Sequence, residues 1–170
     1  LLRLWNDAGY RGICGGRQPG TASFFWVDQL DLSQSDWVMP LELSQIHQLA
    51  SGQRHSVVLA EMPSKIAMAF GCHPGIIYMG ARELTKLLAK HSLSFAAVQN
   101  IPFGIKEGQW FLDDRRQDCA VLIYYSREDR ELYYASIKKV GPGNELWLQT
   151  CHRTTRGKAD RRIKKLKPLK

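Results

Sequence analysis

Apolar positions recur along this chain with two different periods, and the period changes near Gly108. Before that point the spacing is mostly helical. LELSQIHQLASG, residues 41–52, puts Leu43, Ile46, Leu49 and Ala50 on one side of a short helix that Gly52 ends. HSVVLAEM reads as a strand, and Pro63 opens a helix, PSKIAMAF, that stops at Gly71. HPG is a turn and IIYM a second short strand. ARELTKLLAKHS, residues 81–92, is the clearest helix, because Leu84, Leu87, Leu88 and His91 fall at i, i+3, i+4 and i+7. From Gly108 the period is two. QWFLDD, CAVLIYYS, ELYYASIKKV and NELWLQTCHR alternate as strands, with turns at REDR and GPGN. Links that short favour an antiparallel meander. The expected class is therefore α+β, with N-terminal helices packed on a four-stranded antiparallel β-sheet.

Residues 1–40 carry no clear period. GICGGRQPGTAS is turn-like and FFWV is a short strand candidate. GGRQPG lacks the Lys-Ser/Thr ending and the following helix of a phosphate loop. The pattern divides the chain into an N-terminal extension over 1–54, a regular domain over 55–160 and a basic tail over 161–170.

Charge changes the picture at one end only. The chain has 170 residues and a formal charge of +8, with 44% apolar residues, enough for a core. Thr150 to Lys170 contains nine Lys or Arg and one acid, Asp160, and the preceding residues hold fifteen of each sign. A cationic segment this dense attracts phosphate by counterion release. Arg156, Lys158, Arg161, Arg162, Lys164 and Lys165 are its candidates for RNA-backbone contacts. No stretch stays apolar for the roughly 20 residues that a membrane helix needs. LLRLWNDAGY lacks an initiating Met and a signal-peptide pattern, which suggests a piece of a longer chain. Cys14, Cys72, Cys119 and Cys151 form no CxxC pair, and the Cys72-His73 and Cys151-His152 dipeptides suit a zinc site poorly. Buried thiols in a reducing compartment are the expectation, with no metal and no cofactor.

The chemistry concentrates at WLQTCHRTTRGK. Strict alternation puts Leu146, Leu148, Thr150 and His152 on one face, so Thr150 and His152 extend a core-facing row into polar ground. Such groups could line a cleft between helix and sheet; the plain alternative is a strand end fraying into solvent. His91 closes the apolar stripe of its helix. A helix C-terminus favours imidazolium by about 0.3–1 kcal/mol, which would move its pKa upwards. Lys138 alternates with Tyr134 and Ser136, where a cation could stabilise a pentacoordinate phosphorane. The chain has no GxSxG and no HExxH. Imidazole, hydroxyl and cations are the requirements of metal-independent RNA cleavage, in which the ribose 2′-hydroxyl is the nucleophile.

SVVLAEMPSKIA, IIYMGARELTKLLAKH, VQNIPFGI and the strands ending LWLQTCHRTTRGK together resemble the BECR superfamily of small ribonucleases, named for barnase, EndoU, certain colicins and RelE. The likeness covers about residues 55–160 and is nearest to the phage- and toxin-associated branch. It implies a strand–helix–strand, a helix ending Lys-His, an Ile-Pro loop and an antiparallel sheet. It matches His91 to the helix-end catalytic histidine and Thr150 to the last-strand hydroxyl, with Lys138 and Arg153 as cations. His152 has no family counterpart and is added for its chemistry. The resemblance implies a toxin-like endoribonuclease acting on tRNA or other RNA in the cytoplasm. It further implies an acidic immunity or antitoxin partner, and delivery as the C-terminal part of a larger secreted or phage-associated protein. Rival readings are an RNA- or DNA-binding module using Tyr124, Tyr125, Tyr133 and Tyr134, an effector such as an ADP-ribosyltransferase, and a structural domain.

Overall fold

Alternating sequence becomes strand wherever one side of the pleat can be buried. In the computed structural model, which describes residues 39–72, 75–113 and 115–169, the four period-two segments are β3 (Gln109–Asp113), β4 (Arg116–Ser126), β5 (Glu131–Val140) and β6 (Glu145–Thr154). Left-handed residues close their hairpins: Arg130 after β4, and Gly141 and Asn144 before β6.

The sheet is nevertheless larger than that meander. β1 (Ser56–Glu61), β2 (Ile76–Gly80) and β7 (Lys167–Leu169) join it, giving seven strands in the order β1-β2-β6-β5-β4-β3-β7. β2 runs parallel to β6 and every other pairing is antiparallel. The expected four-stranded antiparallel sheet is therefore corrected to a seven-stranded mixed one, still α+β in class. Periodicity shows that a segment is extended, but not which strand it lies against. Lys167–Leu169 is too short and too charged to stand out as a strand, and it sits at an edge, where Pro168 is tolerated.

Helices cover both faces. α1 (Leu43–Ala50), α2 (Ser64–Phe70), α3 (Ala81–Ala89), α4 (Phe95–Gln99) and α5 (Ile101–Glu107) supply the main core. Ile46, Leu49, Leu84, Leu87, Ile101 and Ile105 are fully buried there with Ile77, Leu122, Ile137 and Leu148 from the sheet. α1 lies in the segment read as an extension, yet its Ile46 and Leu49 belong to this core. VQNIPFGI, expected as a loop, spans the end of α4 and most of α5. Ser94 caps α4 by accepting from the Ala97 N–H, and Pro102 sits in the first turn of α5, where no donor is lost.

The basic segment folds over the opposite face. α6 (Arg156–Ile163) buries Ala159 and Ile163, at i and i+4, on Phe111, Val121 and Ile123. Its cations occupy the remaining, solvated sides. Of the residues read as a tail, 161–169 thus include the end of α6 and β7. The FFWV strand, Cys14 and His73 lie outside the described residues.

Gly104 permits a close helix–sheet approach in the main core. A β-carbon there would stand 2.6 Å from the Tyr124 ring, which is itself stacked on Tyr133 at 5.2 Å between centroids. Both rings are buried, so neither can swing clear. Gly104→Ala is expected to destabilise the protein by about 1–3 kcal/mol, as overpacked cores do. Urea unfolding with an unchanged m-value checks this.

Candidate functional site

The site begins with one extra residue. Ser136 of β5 pairs with Thr150 of β6, but Ile137 pairs with Leu148, so Gln149 has no partner and forms a β-bulge. A bulge exchanges the faces of everything beyond it. Leu146 and Leu148 point into the main core before it, and Cys151 does so after it. Thr150 and His152 therefore face the α6 side, across from Ser136 and Tyr134. The expected row of Leu146, Leu148, Thr150 and His152 on one face is corrected accordingly: the first two and the last two lie on opposite faces.

The bulge is held from the side. β2 pairs with β6 only at Ile77–Leu146 and Tyr78–Trp147, and among the described residues no other strand lies along that edge. α3 stands there, and Lys86 Nζ donates to the Gln149 carbonyl oxygen at 3.0 Å. The Lys90 and His91 N–H groups both donate to the Lys86 carbonyl, at 3.0 and 3.2 Å. Ser92 then takes a left-handed conformation with φ 51°, and the Leu93 N–H returns to the Leu87 carbonyl at 3.1 Å. This tight ending, two residues shorter at its last helical residue than the apolar stripe implies, turns the His91 ring round the sheet edge. Its Nε2 lies 3.1 Å from Thr150 Oγ1.

Three more side chains complete the cluster. His152 stacks on His91, with ring centroids 5.3 Å apart and 30° between planes, and meets Tyr134 at 5.2 Å. From α6, the Arg162 guanidinium lies over the Tyr134 ring at 4.5 Å, and its Nη1 is 3.1 Å from His152 Nε2. A guanidinium only donates, so Nε2 must be the acceptor and neutral His152 carries its proton on Nδ1. That Nδ1 is buried with no hydrogen-bond partner among the described residues.

Burial and neighbouring cations lower the pKa of both imidazoles. Burial, then Arg162 and then His91 hold the His152 pKa down at about 4. Burial, followed by repulsion from Lys86 and Lys90, also lowers His91. The upward shift expected from a helix C-terminus does not occur, because burial, and then the ammonium groups of Lys86 and Lys90, outweigh the small dipole contribution.

The other anticipated residues are placed differently. Lys138 alternates onto the same face as Ser136, but its ammonium pairs with Asp118 at 3.4 Å and does not reach the cluster. Arg153 falls on the opposite face, where it bonds to the Tyr133 hydroxyl. Lys158, Arg161, Lys164 and Lys165 are exposed on and just after α6, as is Arg156 at its start. The structure thus brings together His91, Thr150, His152 and Arg162, and leaves Lys138 and Arg153 apart. Tyr134, Lys86 and Gln149 were missed as contributors. Tyr134 shares the alternation of Ser136, but nothing local marks a bulge at Gln149. Cys72, Cys119 and Cys151 are buried free thiols. Among the described residues, no three His, Cys, Asp or Glu side chains gather to hold a metal ion, and no helix is long and apolar enough to cross a membrane.

No protein-family model, no curated protein and no solved structure matches this chain.

His152 makes stability depend on pH in a known direction. Its folded pKa of about 4 lies below the ordinary 6.5, so above pH 6.5 both folded and unfolded chains leave it neutral. Between 6.5 and about 4 only the unfolded chain takes the proton, and the fold loses stability as pH falls. Thermal melts across this range should show a declining Tm, with a shallower decline in His152→Gln.

Proposed function

We propose that this domain is a metal-independent endoribonuclease that cleaves RNA through its own 2′-hydroxyl. The observation that carries the reading is the His91–Thr150 contact of 3.1 Å, at a sheet edge flanked by the cationic helix α6.

In this mechanism His91, whose pKa burial and then Lys86 and Lys90 lower, acts in its neutral form and takes the proton from the 2′-hydroxyl at Nε2. The substrate hydroxyl replaces that of Thr150 as the hydrogen-bond partner, and Thr150 Oγ1 turns to a phosphate oxygen. The 2′-oxygen attacks phosphorus and forms a phosphorane. Arg162 stabilises the charge on its equatorial oxygens, a role expected earlier of Lys138 and Arg153. The P–O5′ bond breaks, the His91 imidazolium returns its proton to the leaving oxygen, and a 2′,3′-cyclic phosphate remains. His152 acts as a positioning residue: its unprotonated Nε2 holds the guanidinium, and the His91 ring rests on its face. A ribonuclease of this kind would need an inhibitor in the cell that makes it. A partner covering α6 would be acidic, to match Arg156, Lys158, Arg161 and Lys165.

Incubation with total RNA in the presence of a chelator, followed by end mapping, is the direct test. Discrete fragments ending in cyclic phosphate are expected. His91→Ala should slow cleavage by about 10²- to 10⁴-fold while changing RNA affinity little. Intact RNA with the wild-type protein, or equal cleavage by the variant, would remove the proposal.

Backbone binding has its own signature. The logarithm of affinity for single-stranded RNA should fall linearly with that of salt concentration. Lys158→Gln or Lys165→Gln should each lower the slope by about 0.7, as measured by fluorescence anisotropy.

A further inference from the structure

The face of the sheet that carries Thr150 and His152 extends beyond α6. Across it runs one row of paired positions: Val58 on β1, Tyr78 on β2, Trp147 on β6 and Lys138 on β5. Each lies opposite a core position, since Val57, Leu59, Ile77, Met79, Leu146 and Leu148 all point into the main core. The apolar cluster beneath α6 reaches Leu132 and Tyr134 but does not include this row. Val58 is 53% exposed, and Tyr78 and Trp147 are half-buried.

The two rings form a preset unit. Their centroids are 5.5 Å apart, with 34° between planes. The indole N–H already donates to Glu145 Oε2 at 3.1 Å, which fixes the ring and uses its only donor. What remains available is aromatic surface. Lys138, the cross-strand neighbour of Trp147, is paired with Asp118 at 3.4 Å, so the cations that could meet a phosphate along this face are those of α6. Trp147 precedes Thr150 by three residues on the same strand and face, a span of about 10 Å at most. A flat apolar group covalently joined to a phosphate suits this arrangement. Two rings on a sheet face that α6 makes cationic suit a nucleotide better than a protein partner, which would need roughly 800 Å² on this side.

We infer that Tyr78 and Trp147 are a stacking platform for an unpaired nucleobase next to the scissile phosphate. The inference rests on the RNA-cleavage reading for the position it gives that base. Stacking on these rings selects single-stranded RNA over duplex, whose bases are not free to leave their neighbours. It discriminates weakly among bases, because every base offers a π-face. It also supplies a grip independent of the salt-sensitive contacts of α6.

The test uses the wild-type chain and a short 2′-O-methyl RNA, which lacks the nucleophile and stays uncut. An oligomer of the same length and charge without bases is the control. The base-bearing oligomer should bind more tightly by roughly 5- to 150-fold, and Tyr78→Leu or Trp147→Leu should erase most of that difference. A 2-aminopurine placed in the oligomer should be quenched on binding, a readout that needs no variant. Equal affinity for the two oligomers, no quenching, or an undiminished difference in folded variants would overturn the platform. Base-dependent binding without RNA cleavage would leave the platform standing and end the nuclease reading. Cleavage without base dependence would do the reverse.

Discussion

A single unpaired residue, Gln149, decides what this sheet can do. Without the bulge, β6 would continue its alternation and send Thr150 and His152 into the main core among Leu146, Leu148 and the helices. Buried there, a hydroxyl and an imidazole would each need a partner that an aliphatic core does not provide. The bulge turns them to the other face and gives the core Cys151 instead, a small apolar thiol that meets the Tyr124 hydroxyl at 3.5 Å. The Gln149 carbonyl also gives Lys86 its anchor, and that bond links α3 to the strand it flanks. The site and its supporting helix are therefore joined through the irregular residue itself.

α6 does two jobs with one helix. Its buried stripe of Ala159 and Ile163 closes a second, smaller core over Phe111, Val121 and Ile123. Its solvated sides present cations to the same sheet face as Thr150. Arg162 lies at the seam between these roles, with the guanidinium on the Tyr134 ring and against His152. Stacking and a hydrogen bond to a neutral acceptor fix its direction without neutralising it, so it stays available to an anion. Lys138 and Arg153 differ on this point. The first is engaged by a carboxylate and the second by a tyrosine on the far face.

The histidines belong to the same electrostatic design. Burial, together with positive groups from α3 and α6, lowers the pKa of both imidazoles. Protonating His152 would set a cation against Arg162 and against its stacked neighbour. Such a site favours an arriving anion, since among the described residues Arg162 has no carboxylate paired with it.

Much of this was legible in the chain. The period-two runs from Gln109 to Thr154 marked the four long strands, and the spacing of Leu84, Leu87 and Leu88 marked α3, because those periods record which side of an element meets the core. His91 and Thr150 were each singled out as candidates, although Thr150 was expected on the core-facing row, and the concentration of cations after Thr150 was plain from composition. Strand partners were not legible: Ile76–Gly80 lies parallel to β6, seventy residues away in sequence, and Lys167–Leu169 closes the far edge with too few residues to show a period. Nor were the faces beyond Gln149, since alternation carries no mark of where a strand admits an extra residue. Local sequence determines what each segment can bury. Which cation meets which imidazole was decided only when the bulge, the Ser92 turn and the seating of α6 brought distant segments to one edge.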